Sequence, residues 1–404
     1  MVLLKALFVL FILSFPIAEV GRLQFPNGVA IMLNDVLLIL TVATWILLFI
    51  KNKRNAFKGN LKKPILIFSA IALLSLLLNS PSLNAQSFIV SFLYLARWVL
   101  YSCLYFIVFG FDKSFRKKIS YIMYLSGFMF VLEGYVQYFL YPNLRNLYYL
   151  GWDEHLYRMF SGFLDPNYAG AFFVVYLIFS LYFVWSHFNI KNYLKTAISG
   201  IISLMTLSAI YLTYSRSAFL MLLVSTVTFL ILINKKKQIL IVFVTLILLI
   251  FVAPRSFKTT GTDMLRTVSS EARITSMQQA ITIFEKSPVI GVGFNAYRYA
   301  QNTYLGLDNI YWQTTHSGAG TDDSFLFVLA TTGIAGFASF IYLLYKMGKL
   351  FIINIGRNKF SVVSLAIILG LAVDSIFINS LFYVFILEWV WILTALSEVS
   401  KKEQ

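Results

Sequence analysis

The stretch Thr196–Lys237, TAISGIISLMTLSAIYLTYSRSAFLMLLVSTVTFLILINKKK, decides the fold. Two apolar runs flank one guanidinium, Arg216, and the second run closes on Lys235, Lys236 and Lys237. A bilayer core takes about 20 apolar residues in helical form. The stretch therefore reads as two membrane spans, 196–213 and 218–234, which meet almost without a loop at one membrane face and leave a lysine cluster at the other.

Working outward, the same alternation continues. Further apolar spans are 2–19, 28–50, 64–79, 88–110, 119–140, 167–187, 239–253, 324–345, 360–377 and 380–397. The expectation is an all-α polytopic membrane protein with about twelve transmembrane helices. A chain that is 59% hydrophobic and 12% charged fits, because soluble domains carry about 25% charged residues. Lysines such as Lys51, Lys62, Lys113, Lys117, Lys191, Lys235, Lys349 and Lys401 crowd alternate loops, whereas the loop 80–87 on the other side carries no Lys or Arg. Positive loops mark the cytoplasmic face, so both termini are expected there. The net charge of +16 is then an orientation signal rather than a nucleic-acid footprint. Cys103 is the only cysteine, and His155, His187 and His316 lie far apart, so neither a disulfide nor a metal or other cofactor is expected. Residues Lys5 to Ala18 look superficially like a signal peptide, but Glu19 and Arg22 stand where small cleavage residues belong, which argues for an uncleaved helix.

The expected organisation is 1–140 N-terminal transmembrane helices, 141–166 a long outer loop, 167–253 central helices, 254–323 a larger outer loop that holds the chemistry, and 324–404 C-terminal helices. Within the larger loop, Ile274, Met277, Ile281 and Phe284 recur at helical spacing. Ser270 is the expected N-cap, Glu271 suits the positive helix end, and Lys286 with Pro288 marks the stop. The spacing predicts an amphipathic helix lying on the membrane or the bundle.

The outer face carries Arg22, Arg145, Arg158, Arg216, Arg255, Arg266, Arg273 and Arg298. Orientation does not require these residues, and a guanidinium grips phosphate with a planar fork. They point to a phosphorylated ligand handled outside the membrane. Arg216, among Thr213, Ser215 and Ser217, suits either a snorkelling cation or a pyrophosphate site. Of the adjacent Asp322 and Asp323, one suits a helix cap and the other a general base. His316 is either a general base or a solvated loop histidine. Asp165-Pro166-Asn167 suits a helix start and leaves Arg158 free to bind. Asp35, Arg97, Glu133, Asp374 and Glu388 fall inside expected spans; Arg97 could pair with Asp35 or Glu133, and such groups also suit a transporter.

Four motifs together resemble the O-antigen polymerase and ligase superfamily over roughly residues 155–345: Gly162-Phe163-Leu164-Asp165-Pro166-Asn167, Thr213-Tyr214-Ser215-Arg216-Ser217-Ala218, Arg273 followed by Ser287-Pro288-Val289-Ile290-Gly291-Val292-Gly293, and Asp322 through Thr332-Gly333-Ile334-Ala335-Gly336. The resemblance implies a GT-C-like helical enzyme of the bacterial inner membrane with a periplasmic active site. It implies glycosyl transfer from undecaprenyl-pyrophosphate-linked glycans without a metal, and a chain-length regulator as a possible partner. Arg216 and Arg273 would hold the pyrophosphate, with Arg158 and Arg298 as further candidates, and Asp322, Asp323 or His316 would act as base. Ligases of the family place a histidine eleven residues before the first Gly of Gly-x-x-Gly; here that position is Asp322. The departure favours a polymerase over a ligase acting on lipid A core. A lipid-linked sugar transporter or flippase is a further alternative, and a peptidoglycan glycan-strand polymerase of the shape–elongation type, whose motifs are absent, a weaker one.

Overall fold

The computed structural model describes residues 1–25, 29–51, 57–240, 262, 268–306 and 320–399. These form a helical bundle with one short hairpin. Helices α1 (Val2–Leu13), α2 (Leu33–Lys51), α3 (Lys62–Leu78), α4 (Ala85–Phe109) and α5 (Lys113–Leu140) make the first part. Helices α6 (Pro166–Asn189), α7 (Tyr193–Leu212) and α8 (Arg216–Leu232) follow. Then come α9 (Val268–Lys286), α10 (Tyr297–Leu305), α11 (Ser324–Asn354), α12 (Lys359–Asp374) and α13 (Val384–Ser397). Strands β1 (Arg22–Gln24) and β2 (Ala30–Met32) pair antiparallel between α1 and α2.

Among the described residues, six helices are long and apolar enough to cross a membrane, or seven if α1 and the turn after it count as one span. That is fewer than the twelve expected. α3 and α8 have 17 residues each, α12 has 16 and α13 has 14. At about 1.5 Å per residue these fall short of a hydrocarbon core about 30 Å thick. Most of the expected span 239–253 lies outside the described residues. The expected span 2–19 is not one helix: the chain bends by 66° between α1 and the 3-10 segment Phe15–Gly21. Pro16 sits in the first turn of that segment, where its missing N–H costs nothing, and Ala18 leaves helical geometry at φ 40°.

α13 is the central post. All of its residues are buried, as suits a helix that is apolar on every side. Trp389 meets Phe172, Tyr176 and Phe179 edge-on, and Trp391 meets Trp98 in the same way. At the end of the bundle that carries the lysine loops, Arg116 donates to the carbonyls of Ala395 and Glu398 and closes the C-terminus of this post. Inside the bundle, Arg97 pairs with Asp35 at 2.7 Å, while Glu133 accepts from Ser161.

α11 is broken at Gly333, with φ 63° and ψ −169°. The break exposes backbone groups that the helix would otherwise consume, and the segment 288–293 takes them up. Val292 N–H donates to Ala330 O and Gly293 N–H to Thr331 O; Ile334 N–H donates to Pro288 O and Ala335 N–H to Val289 O. The Ser75 hydroxyl donates to the carbonyls of Ile290 and Thr331, and Asn79 Nδ2 donates to Gly291 O. Two glycine motifs far apart in sequence are thus halves of one joint, locked by the end of α3.

Candidate active site

The turn between α7 and α8 is built to present Arg216. Tyr214 takes the left-handed conformation at φ 51°, the usual way to end a helix. Thr213 Oγ1 donates to Ile210 O and accepts from Ser215 N–H. α6 presses close, so that a Cβ on Gly170 would lie 2.9 Å from Ala218 Cβ and 3.0 Å from Thr213 Oγ1. Arg216 is the first residue of α8, whose N-terminal N–H groups donate no bond to the Ser215 side chain.

Arg158 braces this turn from below. It is buried, with Nε donating to Thr213 O at 2.8 Å and Nη2 donating to Asn167 Oδ1 at 3.0 Å. The next residue, Met159, donates its N–H to Leu212 O. A cation against the last carbonyls of α7 is also favoured by the helix dipole. Arg158, expected to remain available, is engaged by the fold. Asp165 caps α6, accepting from Asn167 and Tyr168 N–H as expected.

α9 joins the two arginines. Arg216 Nη2 donates to Ser270 Oγ at 3.0 Å. Ser270 therefore lies inside the helix rather than capping it, because the helix begins at Val268. Arg273 follows one turn later. The buried face of α9 carries Ala280 and Ile283, whereas Ile274 and Ile281 are exposed. The bundle-facing stripe is thus rotated from the expected apolar one. The small Ala280 allows close approach of α11, and Arg273, Ser276, Ala280 and Ile283 share a face at helical spacing. Ser276 Oγ donates to Thr321 Oγ1 and accepts from Asp322 N–H, which ties α9 to the start of α11.

The two adjacent carboxylates separate by role. Asp323 caps α11, with Oδ1 accepting from Phe325 and Leu326 N–H at 2.7 and 3.0 Å. Burial raises its carboxyl above the usual range and those N–H bonds pull it back. Asp322 is raised too: burial pushes it up, the Arg273 guanidinium pulls it down and Asp165 adds a smaller push upward. Burial and the Asp322 charge also push up the Tyr297 hydroxyl on α10.

Arg273 has a second acidic neighbour that sequence reasoning did not place here. Asp374, at the end of α12, is fully buried, and among the described residues neither carboxylate oxygen accepts a hydrogen bond. Its polar surroundings are the hydroxyls of Ser380 and Ser217 and the Arg273 guanidinium. In sequence, Asp374 reads as one more acid inside a span, and its nearness to Arg273 depends on the packing of α8, α9 and α12. Arg298 stands apart from this group; it is half-buried beside Tyr94 and Tyr299 and near Arg22. His316 lies outside the described residues. Among the described residues, no group of three or more His, Cys, Asp or Glu side chains gathers as a metal site.

Residues 201–341 match the family model described as O-antigen ligase. The match covers the α7–α8 turn, α9, the glycine joint and Asp322, and it bears out the resemblance to the O-antigen polymerase and ligase superfamily. No curated protein matches the chain.

Proposed function

We propose that this membrane protein with an O-antigen ligase family region is a glycosyltransferase that polymerises lipid-linked glycan repeats on the outer face of the bacterial inner membrane. The observation that carries this reading is the line of contacts along α9: Ser270 accepts from Arg216, Arg273 follows one turn later, and Ser276 accepts the Asp322 N–H one turn after that. In this reading the donor is a glycan on undecaprenyl pyrophosphate. A hydroxyl of a second lipid-linked repeat attacks the anomeric carbon; its oxygen forms the new glycosidic bond. The bond from that carbon to the diphosphate oxygen breaks, and its electron pair leaves with the diphosphate. Arg216 and Arg273 hold the departing charge, and fixed cations aimed at developing charge lower such barriers. Asp322 takes the hydroxyl proton. Burial raises its carboxyl, which makes it a stronger base than an exposed aspartate, while the Arg273 charge favours the ionised form.

Transfer to lipid A core is the second reading, favoured by the description of the matched family. Asp322 at the position where the family's ligases carry histidine supports polymerisation instead. The deciding experiment gives the purified chain a lipid-linked repeat as sole substrate, without added nucleotide. A ladder of lengthening products is expected. Unchanged single repeats, with transfer appearing only when lipid A core is supplied, would establish the ligase.

A further inference from the structure

An apolar cavity of about 170 Å³ lies between α2 and α4, with strand β2 across its end. Leu38, Ile39, Val90, Leu93 and Leu100 wall it. Ile39 and Leu93 are exposed, so it opens sideways out of the bundle, where a bilayer would lie. Among the described residues, one ion pair stands in this apolar wall. Arg97 Nη2 donates to the Ala30 carbonyl and to Asp35 Oδ2, and its guanidinium rests over the Tyr94 ring, 5.1 Å from the centroid. Asp35 is further held by Met32 N–H and the Tyr101 hydroxyl. Both Arg97 bonds use the same nitrogen. Among the described residues, Nε and Nη1 donate to no protein atom, and the side chain keeps 14% of its surface accessible. A fork with unused donors at the end of a hydrocarbon-lined groove fits the phosphate of a lipid whose chain fills that groove.

Packed side chains run from the groove's ion pair toward the arginine and aspartate cluster. Glu19 lies in the field of Arg97, Asp35 and Arg22. The Tyr383 hydroxyl donates to Glu19 at 3.5 Å, and the Tyr383 ring stacks on Tyr168 with centroids 4.2 Å apart. Tyr168 in turn lies in the field of Asp165 and Asp322.

We infer that the groove between α2 and α4 seats the isoprenoid phosphate end of the acceptor substrate, with Arg97 as its phosphate contact. This rests on the glycosyl-transfer reading, which needs two lipid-linked substrates at once. The donor takes the arginines of α8 and α9. The acceptor then needs a second cation and a second hydrocarbon track.

The test is photolabelling of the purified full chain with undecaprenyl phosphate carrying a diazirine on its chain, with labelled peptides mapped by mass spectrometry. Label is expected on α2 and α4, displaced by unlabelled undecaprenyl phosphate and not by excess phosphatidylglycerol. Ala96→Phe fills the groove without touching a charge, and should remove that label while labelling elsewhere persists. Arg97→Gln should weaken it about tenfold, the loss of one charge-assisted bond. Label confined to the helices around Arg216, or displaced equally by phosphatidylglycerol, would overturn the inference. Ladder formation is scored in the same preparations. Loss of groove label with an intact ladder overturns the groove alone, and groove label without any ladder overturns the reaction.

Discussion

Arg216 works against its own helix. A cation in the first turn opposes the helix dipole at a cost of about 0.3–1 kcal/mol, and an anion bound there reverses the sign. Arg216→Ala should therefore fold normally, with Tm unchanged or slightly raised, while ladder formation falls by about a hundredfold or more, the usual effect of removing one donor to developing charge. Arg216→Lys should recover little, because an ammonium cannot present two parallel donors. Asp322 gives a pH prediction. Burial raises its carboxyl, and a base acts only when ionised, so the rate should fall as pH drops through that raised value. Asp322→Asn should abolish turnover at every pH. The stability sign is opposite: a folded-state value above the unfolded one means the protonated form favours folding, a contribution present below the ordinary carboxylate range and lost as pH rises through the raised value. Asp322→Asn should thus leave thermal stability at neutral pH intact or higher, which a melting curve checks alongside the lost activity. At this scale Arg216, Arg273 and Asp322 were legible because each breaks a local rule for its position. Asp374 was not, since nothing local distinguishes it from Glu388 or Asp35.

Among the elements, the broken helix α11 carries the clearest structural demand. A Cβ on Gly333 would stand 2.3 Å from the backbone of Val289, and one on Gly291 would stand 2.3 Å from that of Thr331. Both glycines also have positive φ, at 63° and 69°. Gly333→Ala should therefore cost a few kcal/mol, from forced backbone conformation and a clash that no side chain can relieve. The matched control is Gly348→Ala in the same helix, where an added Cβ meets nothing within 4 Å among the described residues. That change should be neutral or stabilising by up to about 1 kcal/mol, since alanine is the better helix former. Thermal unfolding of the two variants in one detergent makes the comparison. Equal melting temperatures would show that the joint is not under the stated constraint. The sequence placed α9 correctly and marked both glycine motifs as parts of a resemblance, but it could not pair Gly291-Val292-Gly293 with Gly333. Backbone bonds between distant segments leave no periodic trace in either. The rotation of α9 was hidden for a related reason: Ala280 and Arg273 face inward through close packing and charge, and periodicity weighs only apolar bulk.

For the molecule as a whole, the segregation of lysine from arginine is the feature most open to direct measurement. Helix ends alternate along the bundle, so that the starts of α4, α6, α8 and α11 gather with the ends of α3, α5, α7 and α12. This end holds Arg216, Arg273 and Asp322; the opposite end holds Lys191, Lys235 and Lys359. Positive loops are retained in the cytoplasm whichever cation they carry, so the arginine end should face outward even though several helices are too short to span alone. The tests are Tyr149→Cys, at a side chain 80% exposed near the arginine end, and Lys236→Cys, exposed at the lysine end. Cys103 is buried and serves as the silent background. An impermeant maleimide added to spheroplasts should label the cysteine at 149 immediately and the one at 236 only after permeabilisation. The reverse pattern would put Arg216 and Asp322 in the cytoplasm, away from the exported lipid-linked glycans that the proposed reaction consumes. The polymerase reading would then fail through orientation alone, with every distance in the site unchanged.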